Sequence, residues 1–165
     1  MSKSEIFRGW KRRNAAGNHH ISIIEGVNSV IAQRLAEEGI DSIEQLALID
    51  PEDISIRAKY PLKFVIDWKD QAILYLLTGD IILQKNSDPS KESLFNIIDK
   101  RLGIRSATSF VESWSELSSN NASAKKYLKG LGLLSNDGSN FEQLEYLFSN
   151  ITRQTKLLIK SKPEF

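Results

Sequence analysis

Ile24-Glu25-Gly26-Val27-Asn28-Ser29-Val30-Ile31-Ala32-Gln33-Arg34-Leu35, followed by Gly39-Ile40-Asp41-Ser42-Ile43-Glu44-Gln45-Leu46-Ala47, is the stretch on which the fold of this chain turns. A glycine turn stands between the apolar Ile24 and Val27. Asn28 or Ser29 then starts a helix in which Val30, Ile31, Leu35 and Ala36 recur at about one-turn intervals. Gly39 suits the left-handed stop of that helix, and Ser42 caps a second one over 43–48.

Outward from this core, start and stop signals continue to be helical. Asp50-Pro51 opens another helix, since proline is well tolerated in the first turn, and Glu44 and Glu52 sit early in their helices, where the macrodipole favours negative charge. Tyr60-Pro61 begins the longest clear helix, whose apolar face carries Leu62, Val65, Ile66, Trp68, Ala72, Ile73, Tyr75 and Leu76 and which ends near Gly79. Lys85-Asn86-Ser87-Asp88-Pro89-Ser90 reads as a linker, with turn-forming residues and nothing to bury. After it, Ser90 caps a helix with Leu94, Ile97, Ile98 and Leu102 and a stop at Gly103. A second helix carries Phe110, Val111, Trp114 and Leu117, and a short third carries Tyr127, Leu128 and Leu131. The turn-rich 135–140 leads to a final helix through Leu144, Leu147, Phe148, Ile151, Leu158 and Ile159. No segment alternates convincingly as a strand. Upstream, Ser4 can cap a helix bearing Ile6, Phe7 and Trp10. The expected fold class is all-α, divided into residues 1–86 and 91–165, the second a small helical bundle.

Composition narrows function further. The 165 residues are 41% hydrophobic, enough for a core, and lack cysteine, which excludes disulfides, thiolate zinc sites and a cysteine nucleophile. The apolar run 72–83 is interrupted by Thr78, Gly79 and Asp80, well short of the roughly 20 residues that span a bilayer. A cytoplasmic protein with no membrane association is expected. The net charge of +1 conceals an uneven distribution. Residues 1–20 have five basic and one acidic side chain, 21–90 have six and twelve, and 91–165 have eleven and eight. The glycine turn therefore lies in the acidic part of the chain, with basic flanks.

The quoted stretch resembles a helix-hairpin-helix module over residues 20–48. With its helical continuation to residue 80, it is similar to the paired-hairpin domains found in recombinase N-terminal regions and in the C-terminal domain of the polymerase alpha chain. The resemblance implies that backbone N–H groups of Gly26, Val27, Asn28 and Ser29 can contact nucleic-acid phosphate without reading base sequence. One departure is Asn28, where the usual hairpin has a second glycine. Asparagine enters the left-handed region more readily than most residues, but its side chain narrows the approach of a phosphate.

Other constellations have simpler readings. Lys11, Arg12 and Arg13, beside Phe7 and Trp10, combine cations with an aromatic surface as phosphate-binding segments do, yet also suit a solvated helix face. Arg153, Lys156, Lys160 and Lys162 complement the dipole of the final helix. His19-His20 lacks further ligands for a metal, and Asp67 and Asp70 read as solvated partners of Lys63 and Lys69. Trp68 and Trp114 read as core. No phosphate loop, zinc-protease motif, serine elbow or dinucleotide fingerprint is present, so neither catalysis nor a cofactor or metal is expected. The expected function is that of a non-catalytic adaptor or accessory subunit binding a protein partner through helical surfaces. The alternative is a sequence-nonspecific DNA- or RNA-binding module using Gly26, Val27, Asn28, Ser29, Lys11, Arg12 and Arg13. Apolar excess on the 61–78 helix would mark the protein interface.

Overall fold

A computed structural model describes residues 20–84 and 91–160. The expected helix around residues 4–13 and the expected linker at 85–90 lie outside the described residues. Within them the chain is predominantly helical, with eight α-helices: α1 (Ser29–Glu37), α2 (Ile43–Ala47), α3 (Pro51–Ala58), α4 (Leu62–Thr78), α5 (Leu94–Leu102), α6 (Ala107–Leu117), α7 (Asn121–Gly130) and α8 (Phe141–Lys160). The described residues form two compact units, divided between Leu76 and Leu77 and again between Lys156 and Leu157.

In the first unit the caps follow the sequence. Asn28 accepts from the Ile31 amide, Ser42 from Gln45 and Asp50 from Glu52, each satisfying a donor that its helix leaves orphaned. Gly39 takes the left-handed conformation after α1. The core is made of Ile21, Leu35, Ile43, Leu46, Val65, Ala72, Ile73 and Leu74, all at most 1% exposed. In α4, Trp68, Lys69, Gln71, Ala72, Ile73 and Leu74 are all buried, whereas Leu62 and Ile66, expected on the buried face, are exposed. A helix surrounded on most sides has no single apolar stripe, so periodicity overstates how far its face reaches at the exposed end.

Most of the second unit is also helical, but it contains strands that periodicity did not indicate. β1 (Ile82–Gln84) and β2 (Lys91–Ser93) pair antiparallel, with Ile82 opposite Ser93, Leu83 opposite Glu92 and Gln84 opposite Lys91. Three-residue strands are too short to show alternation, which becomes legible over about four to eight residues. The ladder also moves the start of α5. Residues 91–93 are extended in the pairing, so the cap is Ser93, which accepts from the Asn96 amide, rather than Ser90. Phe110, Trp114, Tyr127 and Phe148 form the aromatic centre of this unit, with ring centroids 5.1 to 6.3 Å apart in mostly edge-to-face contacts. α8, at 20 residues, is longer than the 17-residue α4.

Candidate functional site

Residues 24–27 close a tight turn in which the Val27 amide donates to the Ile24 carbonyl at 3.1 Å. Gly26, the third residue of that turn, has φ +91, the arrangement of a type II turn, which selects glycine there. A β-carbon at Gly26 would lie 3.1 Å from Trp68 Nε1, so close packing on α4 selects glycine as well. Gln71 fastens the turn from the next turn of the same helix. Its Oε1 accepts from the Glu25 amide at 2.9 Å, and its Nε2 donates to the Glu25 carbonyl at 3.1 Å and to Asp67 Oδ2 at 2.9 Å.

This geometry gives each candidate hairpin residue a local role. Val27 is buried and its amide is spent within the turn. Asn28 is extended, at φ −82, and not left-handed; its carbonyl oxygen Oδ1 accepts from the Ile31 amide at 2.9 Å. Asn28 thus caps α1 with its own side chain. Ser29 and Val30 retain their amides at the exposed helix start, and the neighbouring Glu25 and Asp67 are exposed carboxylates. Before the turn the described chain forms only a short 3₁₀ turn, Ile21–Ile23, capped by His20. Lys11, Arg12 and Arg13, the expected basic flank, lie outside the described residues.

Two other sequence readings meet different surroundings. His20 is exposed, and its Nδ1 accepts from the Ser22 amide at 3.1 Å. Lys69 is buried rather than solvated: it is only 8% exposed, and its ammonium donates to the Ile49 carbonyl at 2.7 Å. Among the described residues no group of three or more His, Asp or Glu side chains is placed to hold a metal ion, and no helix is long and apolar enough to cross a membrane.

A second surface stands out at the start of α4. Leu62, Phe64 and Ile66 are 39%, 47% and 48% exposed within five residues. Phe64 stacks on the buried Trp68 at 6.4 Å between centroids and 18° between planes, while Tyr60 meets Trp68 edge-on at 5.4 Å. Lys63 Nζ lies 5.1 Å from the Phe64 ring centre. The cluster thereby packs on the buried Trp68 while the outer face of Phe64 meets solvent.

In the second unit, sequence reading missed a cleft of about 540 Å³ lined by Arg101, Lys125, Lys129, the loop residues Ser135 to Gly138, and the backbone at Gly130 and Gly132. The available signals were the lysine pair four residues apart on α7 and the turn-rich loop after it, but their convergence with Arg101 depends on how α5 and α7 pack. Comparison with known proteins gives no match to a family model, to a curated protein or to a solved structure.

Proposed function

We propose that this chain is a non-catalytic accessory protein that binds another protein through its helical surface, with the start of α4 as the contact face. The observation that carries the reading is Phe64: a large apolar side chain, half exposed, held in place by stacking on Trp68 and flanked by exposed Leu62 and Ile66. A side chain already ordered before binding loses little further entropy on association, which is how aromatic anchors contribute most of an interface's energy. The acidic balance of residues 21–90 suits a partner with an apolar centre and a basic rim.

Affinity purification of the full chain after nuclease treatment tests this. A protein partner should be retained, and Phe64→Ser with Ile66→Ser should reduce its affinity by about 30-fold or more, the scale of losing one central anchor. An unchanged urea midpoint of the double variant separates a lost contact from a lost fold. If nuclease removes every partner, the adaptor reading fails. The alternative then takes its place: sequence-nonspecific DNA or RNA binding by Gly26, Val27, Asn28 and Ser29 with Lys11, Arg12 and Arg13. In that case affinity should fall steeply with salt, and Arg12→Ala with Arg13→Ala should flatten the dependence.

A further inference from the structure

We infer that the cleft between the end of α5, α7 and the 131–138 loop is a binding site for a phosphate monoester. Arg101 comes from the last turn of α5, and Lys125 and Lys129 from one face of α7. Neither Arg101 nor Lys129 has an ion-pair partner among the described residues, and Lys125 is engaged only by the Phe141 ring, 5.1 Å from its Nζ. Lys125 and Lys129, four residues apart, repel each other across one helical turn, a small cost that an anion between them would remove.

Helix dipoles account for part of this charge. Arg101 and Lys129 each offset the negative end of a helix, but Lys125 lies mid-helix and serves neither end. Its contact with Phe141 instead brings it to the start of α8, whose dipole is positive there. The one carboxylate lining the cleft, Asp137, is already engaged by the Ser139 amide at 3.0 Å and the Ser135 hydroxyl at 2.8 Å. Asn140 braces the same loop: its Oδ1 accepts from the Ser135 amide and its Nδ2 donates to the Leu133 carbonyl. The loop wall is therefore ordered before any ligand arrives, and the cleft keeps a net positive charge.

The lining also restricts the ligand. The volume lies within the range of small-molecule sites, yet Leu134 is the only large apolar side chain in the wall and no aromatic ring lines it. A nucleobase would find no aromatic ring to stack on, whereas a phosphate monoester carries a charge of about −1.5 to −2 at neutral pH and three strong acceptor oxygens. The shared chemistry is the monoester, from either a phosphorylated side chain or a free small ester.

The site is independent of the α4 face and is tested on the full chain by amide NMR. Inorganic phosphate, a short uncharged peptide containing phosphoserine, and its unphosphorylated form are titrated in turn. Saturable shifts at Asn136, Asp137 and Gly138 are expected with both phosphate probes and none with the plain peptide. Tighter binding of the phosphopeptide identifies a protein source; equal binding identifies a free ester. Lys125→Gln with Lys129→Gln should weaken binding at least about tenfold, as expected for lost charge-assisted hydrogen bonds, with an unchanged thermal melt. Arg101→Gln, on a different helix, should weaken it independently. The proposal is overturned by no saturable shift up to about 20 mM phosphate, beyond the millimolar range of weak sites. It is equally overturned by an unaltered response in both variants, or by tighter binding of oligothymidylate than of either monoester.

Discussion

Gly26 and Gly39 separate two reasons for choosing glycine. Both have positive φ, but a β-carbon at Gly39 would meet nothing within 4 Å, whereas one at Gly26 would meet Trp68 Nε1. Gly39→Ala should therefore cost only the left-handed backbone penalty, about 1–2 kcal/mol. Gly26→Ala should cost measurably more in urea unfolding, because Trp68 must also shift. Equal losses would show that the close approach is unimportant. Thr155 makes the opposite case: its side chain is fully buried and its hydroxyl has no hydrogen-bonding partner among the described residues. Thr155→Val should stabilise the fold by about 1 kcal/mol, since it removes an unsatisfied polar group at almost unchanged shape. A lower urea midpoint would refute that. Glycine at position 26 was legible from the turn pattern, but its contact with Trp68, 42 residues later, was not. Likewise, nothing in the sequence around Lys69 announces that its ammonium ends on the carbonyl of Ile49.

At the scale of elements, the N-caps are where sequence and structure agree most closely, because a cap is a local contract between a side chain and an amide two or three residues on. Asn28 shows how a cap can inform function. Asn28→Ala should lose about 1 kcal/mol, while Asn28→Gly should lose only a few tenths, since glycine is itself an acceptable cap residue. If Asn28→Ala leaves the urea midpoint unchanged, the side-chain bond to Ile31 is not what stabilises this helix start. The β1 and β2 pair marks the limit of local reading. Two three-residue strands have no periodic signature, and their pairing joins residues on either side of a polar segment. A ladder this small is weakly stable on its own, so its amides should exchange with solvent faster than those around Phe148; equal protection would contradict this.

For the whole molecule, titration offers a test of the loop that walls the cleft. Hydrogen bonds from the Ser139 amide, then the Ser139 and Ser135 hydroxyls, hold the Asp137 carboxyl at about 2, below its ordinary 3.8. A depressed carboxyl stabilises the fold above its unfolded pKa and stops doing so as pH falls from about 4 towards 2. Tyr127 acts at the other end: burial raises its phenol above the ordinary 10.0, opposed by a hydrogen bond from Ser113. The folded state therefore favours the neutral phenol, and stability should fall as pH rises beyond 10. Urea midpoints across pH should show both edges. Asp137→Asn should remove the Asp137 contribution on the acid side, and Tyr127→Phe the Tyr127 contribution on the alkaline side; an unchanged profile in either variant refutes its assignment.

The helical class, the order of the described helices after residue 28 and most of their ends were legible along the chain. Those features depend on periodicity, caps and glycine stops that act within a few residues. Tertiary structure decided what those helices present to the outside. It turned Leu62 and Ile66 from expected core to exposed surface, buried Lys69, and brought Arg101 to the same cleft as Lys125 and Lys129. The physical reason is the range of the interactions: helix formation is specified by neighbours along the chain, whereas exposure and the convergence of charges depend on which distant segments pack together.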